Sequence, residues 1–566
     1  MDLKKIWIEK FKEVPKEFLN SFKDYPKPIL EIFWSRNLKE KDEIEKFLNP
    51  SWEKIYDPFL MAHLKEASQL IVKHIKENKK ICIFCDYDAD GCCSGALFED
   101  FFKRIDFKNF LVYIPSRKEG YGLSEEAIRT LKKENVDLII TCDCGITDVD
   151  EVEFAKKLNI RVIISDHHLP QQNLPNTLIV NPHLKEDNYP FKGLSGAGVA
   201  FKLIQGIARI LNYPYLESLE KWNADFLAIS SVADFMPLLD ENRIFTKFGL
   251  ITLEKTKRIG LKELKRICNL PEKLEAQHIG YYLAPRINIS SKSGYQNESF
   301  HLLTTDSEVE AKWLAKRLDE RVRERQKQME IIEKEIESKI KEPFPKIFCF
   351  GSPKWQLGII ASLATRLREK YFRPVFLWRE ELLKIKGSAR SIDEFNLVEV
   401  LGQIKKLHPE IFIDFGGHKK AAGFTILPQY KNLFLETLNS IAETQILDEY
   451  LIPKIEIDAK ISPQDLNEKF FEYYHKLAPF GVGNPLPVFL MSHIRVKEVF
   501  NVGANGDHLK LKVNYFGWDF DAIGFKKGLD SLKISPDSHI DLVVSLKRNY
   551  WQGKESLDLE IIDWKE

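Results

Sequence analysis

Three short apolar runs in the first third of the chain each end in an acidic or imidazole-rich tip. Ile81-Cys82-Ile83-Phe84 leads to Asp86, Asp88 and Asp90 in CDYDADG, Leu138-Ile139-Ile140 to Asp143 in TCDCG, and Val162-Ile163-Ile164 to Asp166-His167-His168 in SDHH. Runs of this length and apolarity read as strands of a parallel sheet covered on both faces. In an open α/β sheet the carboxyl ends of the strands form the ligand crevice. Side chains far apart in sequence should therefore converge there. Carboxylates gathered in one place repel one another unless a cation sits among them. Oxygen and imidazole donors without a nearby thiolate pair suit a divalent ion such as Mg²⁺ or Mn²⁺. A single Asp after a strand is ordinarily a helix N-cap or turn former. Three such tips within about eighty positions argue for a metal site instead.

The rest of the composition narrows the setting. A chain of 566 residues exceeds one core, so three or four domains are expected. Its 84 basic and 84 acidic residues cancel, so any groove for a polyanion must be local. The eight cysteines lack zinc-finger spacing, and most sit in or beside apolar strands. Thiols used as small core residues fit a reducing compartment. The N-terminus has charges every few residues, and no run of eighteen apolar residues occurs. A signal peptide and a membrane span are not expected, and the cytoplasm is.

Elements follow from the pattern. Residues 1–45 read as short helices packing on the next domain, and 59–77 as a helix. Strands at 81, 110–114, 137 and 161 alternate with helices at 94–102, 124–133 and 149–158, a βαβ series implying a doubly wound sheet. Leu194-Ser195-Gly196-Ala197-Gly198 opens a further helix, and the apolar segment from Phe226 to Val232 ends at another carboxylate, Asp234. Residues 307–342 contain no Gly or Pro and carry dense charge of both signs. They predict one helix of roughly 50 Å at 1.5 Å per residue. A second α/β lobe follows, with strands at 347–350, 374–378 and 411–414 and a helix at 359–370. Beyond about 450 the pattern becomes short strands and turns, as in a small barrel of OB-fold type.

DYDADG, CDCG, SDHH and VADFMPL resemble the four signature motifs of the DHH phosphoesterase superfamily. PSRKEGYGL, LSGAGVAFKL, GSARS, FGGHKKAAGF and LAPFGVGNPLPVFL resemble one branch of it, the RecJ single-strand-specific exonucleases. The resemblance implies an α/β fold of two lobes, a DHH domain and a DHH-associated domain, joined by a long helix and followed by a C-terminal OB-fold β-barrel. The corresponding boundaries are an N-terminal helical segment (1–45), the DHH domain (46–255), a connecting region with the long helix (256–342), the DHH-associated domain (343–445) and the OB-fold (446–566).

It further implies two Mn²⁺ or Mg²⁺ ions held by Asp86, Asp88, Asp90, Asp143, His167 and Asp234, with Asp143 bridging and His168 in or just behind the ligand set. Two ions about 3.5–4 Å apart share an activated water and stabilise both oxygens of an in-line displacement, so no side-chain nucleophile is needed. Asp143, His168 and His418 are the catalytic candidates. In the branch, the segment matching Gly416-Gly417-His418 contacts the scissile phosphate from the second lobe. Arg117, Ser388 and Arg390 match the pocket for a terminal phosphate, with Arg286 and Lys292 as further phosphate contacts. Arginine suits that task because its fork binds phosphate bidentately.

There are departures. Cys85 stands where Gly is usual, Gln356 where His is common, and 286–292 reads RINISSK in place of an Asn-Ala-Ala-Gly-Arg segment, so Lys292 replaces a usual Arg. The implied activity is release of 5′-mononucleotides from single-stranded DNA in the 5′-to-3′ direction, in repair and recombination. A monomer working beside single-strand-binding protein and a recombination helicase is implied with it. Two alternatives stay open: a DHH phosphodiesterase for short oligoribonucleotides or cyclic dinucleotides, and a non-catalytic replication-fork scaffold.

Overall fold

The computed structural model describes residues 5–116, 119–290, 297–503, 505–551 and 554–566. The chain divides into two compact units, residues 9–320 with 457–566, and residues 1–8 with 321–456. The division falls inside the helix Glu308–Glu337, whose 30 residues span about 45 Å. Among the described residues no helix is long and apolar enough to cross a membrane.

The larger unit contains a five-stranded parallel sheet in the order Phe110–Tyr113, Ile81–Cys85, Leu138–Cys142, Arg161–Ser165, Leu178–Val180. The three central strands are buried almost end to end, as their continuous apolarity requires. On one face Cys82, Phe84, Ile139, Val162 and Ile164 pack with Ala127, Ile128, Leu131, Val152 and Ala155 from the helices Glu125–Lys133 and Val149–Lys157. The helix Ala89–Arg104 takes the other face, where a Cβ on Gly95 would meet the Cys85 sulfur. Strand order reverses between 81–85 and 138–142, which are direct neighbours. The crevice of a doubly wound sheet opens at that switch point.

Two helices refine the reading of the sequence. The one expected at 94–102 begins at Ala89, because the Asp88 side chain accepts from the amides of Asp90 (2.9 Å) and Gly91 (3.1 Å) and caps it. The apolar segment before Asp234 is the helix Ala224–Ala233, with Asp234 at its C-cap.

The same unit holds a barrel. Phe489–Val502, His508–Tyr515, Trp518–Gly524, Lys554–Lys565 and His539–Trp551 follow one another, and the first pairs with the last to close the sheet. The N-terminal segment, expected to pack on the next domain in sequence, shares its core with this barrel instead. Phe18, Ile29, Ile32, Phe33 and Ile44 join Phe470, Phe489, Val513 and Leu542 in one cluster. The apolar faces of these helices are thus covered by residues more than four hundred positions away.

The smaller unit has a mixed sheet in the order Phe412–His418, Ala421–Ile426, Ile385–Arg390, Val375–Glu380, Phe348–Gly351. Only its last two strands are parallel. The strand expected at 411–414 runs on through the FGGH segment to His418, and it turns through Lys419-Lys420 into the next strand.

Candidate metal centre

Each acidic tip leaves its strand still bonded to the neighbouring one. The Asp86 amide donates to Cys142 O (3.1 Å), Asp143 to Ser165 O (3.0 Å) and Asp166 to Val180 O (3.1 Å). This stepped pairing sets the three tips side by side along one edge. Asp143 lies in the left-handed region (φ 65), an uncommon conformation for a residue with a Cβ and one that clusters at functional sites. Gly196 makes room for it, since a Cβ there would stand 2.5 Å from the Asp143 Cβ.

The side chains form three overlapping groups, each with ligand atoms within 4.8 Å of one another: Asp86, Asp88 and Asp143; Asp90, His167 and Asp234; Asp143, His167 and His168. His167 Nε2 lies 3.1 Å from Asp143 Oδ1, 3.5 Å from Asp234 Oδ2 and 3.8 Å from Asp90 Oδ2. Every sequence-predicted metal residue is in one of these groups. Asp90 is further anchored to the start of the helix Gly196–Ile210, accepting from the amides of Gly196 and Ala197, each at 2.7 Å.

The electrostatics ask for a cation. Asp86 Oδ1, Asp143 Oδ1 and His167 Nε2 are buried and have no hydrogen-bond partner, although the last two almost touch. Buried polar atoms left unpaired are rare and costly. Burial, then the Asp88 charge, pushes the Asp86 carboxyl up to about 7. Burial, then Asp90, pushes Asp234 up to about 8 and Asp143 well above the usual carboxylate range. Oxygen and imidazole donors of this kind, with orphaned lone pairs aimed at one another, fit Mn²⁺ or Mg²⁺. The six cysteines of this unit's sheet region, Cys82, Cys85, Cys92, Cys93, Cys142 and Cys144, are buried, and none joins a ligand group.

Three supporting residues stand outside the ligand and catalytic set read from the sequence. Asp166 enters no ligand group and orients the two histidines instead. Its Oδ1 accepts from the His167 amide (2.7 Å), the His168 amide (3.1 Å) and His168 Nδ1 (2.8 Å), while Oδ2 accepts from the Ile146 amide (3.0 Å). Burial opposes a charged His168, but the Asp166 contact outweighs it and raises that imidazole to about 9. Tyr121 donates to Asp143 O (3.2 Å) and packs edge-on against His168. Its only signal in the sequence was its place in PSRKEGYGL. Asn181 donates to His168 O (2.9 Å). It is a fourth strand tip, directly after Leu178–Val180, and a tip rule extended to amides would have found it.

The phosphate candidates separate. Arg117 and Lys292 lie outside the described residues. Arg286, expected at a phosphate, is buried, with Nε 3.0 Å and Nη2 2.5 Å from Asp319 Oδ1 and Nη1 2.8 Å from Tyr282 O. Its charge is thereby neutralised inside the larger unit. Arg390 contrasts with it: among the described residues its guanidinium meets only Thr365 Oγ1 (3.2 Å), Ser388 Oγ (2.9 Å) and Ala389 O (2.8 Å). Burial, then the nearby Arg368 charge, lowers its pKa, as expected of a cation without a carboxylate. Gly416, Gly417 and His418 are exposed, and a Cβ on Gly416 would meet nothing. Gly417 has φ 137, and a Cβ there would stand 2.4 Å from Ala421 O.

A parallel sheet with a buried cluster of carboxylates and imidazoles at its switch point, a second mixed α/β unit and a closed barrel define a phosphoesterase of DHH type with an added barrel module. Residues 80–230 match the DHH family N-terminal domain, 345–444 the DHHA1 domain and 457–563 the RecJ OB domain. The single-stranded-DNA-specific exonuclease RecJ of Bacillus subtilis is 34% identical over 94% of this chain and 67% of its own length. The protein of the same name from Escherichia coli is 30% identical over 95% of each chain. The crystal structure of RecJ in complex with Mn²⁺ from Thermus thermophilus, 25% identical, superposes with a TM-score of 0.82 over 99% of this chain and 79% of that one. The chain belongs to the RecJ family of single-stranded-DNA-specific exonucleases.

Proposed function

We propose that this chain is a single-stranded-DNA-specific exonuclease that releases 5′-mononucleotides in the 5′-to-3′ direction, in DNA repair and recombination. The observation that carries the reading is the trio of buried, unpartnered ligand atoms on Asp86, Asp143 and His167 at the sheet's switch point. Asp86, Asp88 and Asp143 would hold one ion, and Asp90, His167 and Asp234 the other, with Asp143 shared. A bound pair of Mn²⁺ or Mg²⁺ ions lowers the pKa of water and stabilises charge on the phosphoryl oxygens.

The chain's own groups do the remainder. Asp166 fixes His168 through Nδ1, so the other ring nitrogen can carry a proton to a substrate oxygen. His418, at an exposed strand end freed of side chains by Gly416 and Gly417, contacts a substrate phosphate and offsets its developing charge. Ser388 and Arg390 are the described groups suited to a terminal phosphate, whereas Arg286 packs against Asp319. Exposed aromatics of the barrel, Phe516 and Trp518, offer surfaces on which bases stack irrespective of sequence. A cytoplasmic monomer acting beside single-strand-binding protein and a recombination helicase fits this role.

The test is digestion of 5′-labelled single-stranded DNA with Mn²⁺, alongside a dinucleotide substrate. Mononucleotide should be the first labelled product, and the long strand should be the faster substrate. Dinucleotides or internal fragments as first product would sink the proposed polarity. Faster hydrolysis of the dinucleotide would favour an oligonucleotide phosphodiesterase.

A further inference from the structure

Arg243 is 2% exposed and pairs with no carboxylate among the described residues. Its guanidinium donates instead to main-chain carbonyls: Nε to Phe47 O (2.8 Å), Nη1 to Leu477 O (2.9 Å), and Nη2 to Lys476 O (2.7 Å) and Ala478 O (2.9 Å). Burial, then Arg36, lowers its pKa to about 9, so the charge is retained at a cost. What it fixes is a tight turn leading into the barrel. Asn484, fully buried, donates to Leu477 O (2.8 Å) and Pro479 O (2.7 Å), and Gly481 and Asn484 exchange backbone hydrogen bonds of 2.8 and 3.1 Å.

That turn bears on the loop carrying Asp234. The Leu238 amide donates to Val482 O (2.8 Å). A Cβ on Gly481 would stand 2.6 Å from Leu238 Cδ1, and one on Gly483 would stand 3.3 Å from the Pro237 Cβ. Pro237 in turn abuts Gly193, where a Cβ would be 2.8 Å from its Cγ, and Asn242 Nδ2 joins the two by donating to both carbonyls, Gly193 O at 2.5 Å and Pro237 O at 3.1 Å. Two residues on, Ser195 Oγ lies 2.6 Å from Ser230 Oγ, which lies 2.7 Å from Asp90 Oδ1. The contacts therefore hold Pro237 and Leu238, three and four residues after Asp234, on one side, and reach Asp90 through Ser195 and Ser230 on the other. Asp234 and Asp90 share a ligand group with His167, and Asp86 and Asp88 are not in it.

We propose that the 478–484 turn is a positioning element for the ion held by Asp90, His167 and Asp234. Residues placed in the sequence with the barrel thus set the geometry of half of the metal centre. The proposal rests on the metal-centre reading above.

Gly481→Val tests it, with Leu238→Ala as the compensating change because it removes the atoms the new side chain would strike. Full-length wild type, Gly481→Val and the double variant are titrated with Mn²⁺ by calorimetry. Melting temperature and metal-free binding of single-stranded DNA are read in parallel. In Gly481→Val the affinity for one of two Mn²⁺ should fall about tenfold or more, as when an outer partner of a ligand is lost. The other ion and metal-free DNA binding should be unchanged, and the double variant should recover. A folded Gly481→Val that binds both ions like wild type overturns the proposal, and so does a loss that persists in the double variant. If Gly481→Val fails to fold, Gly481→Ala decides on the same criteria. Wild type that binds no Mn²⁺ would remove the metal-centre reading and this proposal together, whereas wild type and variants binding two ions alike would remove only this proposal.

Discussion

The strand tips of the parallel sheet and the hairpin tip of the mixed sheet are built on opposite principles. At the first, Asp86, Asp90, Asp143 and His167 are buried, and three of their ligand atoms have no partner. At the second, Gly416, Gly417 and His418 are exposed, and a Cβ on Gly416 would meet nothing. A buried cluster of like charge is unstable until it is filled, so it is specific for a cation and indifferent to what lies beyond. An exposed tip whose histidine follows two glycines gathers no cluster of carboxylates and is open to a large ligand. Under the proposed function, binding an ion and meeting a polymer fall to different parts of the chain.

Asp143→Ala should break the comparison most severely. Asp143 belongs to two of the three ligand groups, so cleavage should fall beyond the roughly 10²–10³-fold that removal of one transition-state donor costs. Single-strand binding should stay close to wild type, measured by anisotropy under the same conditions. Near-wild-type cleavage would end the metal assignment.

His418→Ala should sharpen it. Turnover should drop by roughly 10²–10³-fold, while Mn²⁺ affinity by calorimetry stays unchanged. A parallel loss of Mn²⁺ affinity would show that the two tips are not separate in function.

Arg390→Ala should act more mildly. Loss of one charge-assisted contact is worth roughly 10–100-fold at most. The effect should appear as a weaker preference for 5′-phosphorylated over 5′-hydroxyl ends, with turnover on saturating substrate little changed. An equal loss on both kinds of end would assign Arg390 to general backbone binding.

These contrasts also explain what could be read from sequence. The strand tips were legible because a fully buried strand is a continuous apolar run, and a carboxylate at its end has few other uses. Asp166 was legible as a tip but not in its role, because a ligand and a residue that orients ligands have the same local signature. The strand Trp518–Gly524 is hard to read from sequence. Its Asp519 and Asp521 are exposed and pair across the sheet with Lys497 and Lys510, so charge interrupts the pattern of an otherwise regular barrel strand. The placement of the N-terminal helices was hidden for a different reason. Periodicity marks Ile29, Ile32 and Phe33 as a buried face, and only the folded chain reveals that Phe489 and Leu542 cover it. Arg286 belongs to the same kind of error, since nothing local announces that Asp319 neutralises it.

The smallest expected effect concerns the metal-free form of the cluster. Asp86 is raised to about 7 and Asp234 to about 8, against an ordinary value near 4. Between those limits the folded, metal-free chain binds protons that the unfolded chain has released. The stability these groups contribute is therefore fully present below about pH 4 and lost as pH rises through about 7 to 8. His168, raised to about 9, has the same sign, its contribution fading as pH rises through that value. Bound ions replace those protons, so Mn²⁺-loaded protein should escape the decline. The gap in melting temperature between Mn²⁺-loaded and chelator-treated protein should accordingly widen by a few degrees from about pH 5 to about pH 8. A gap that narrows over that range would mean the carboxylates are already ionised when the site is empty, and that other groups offset their repulsion.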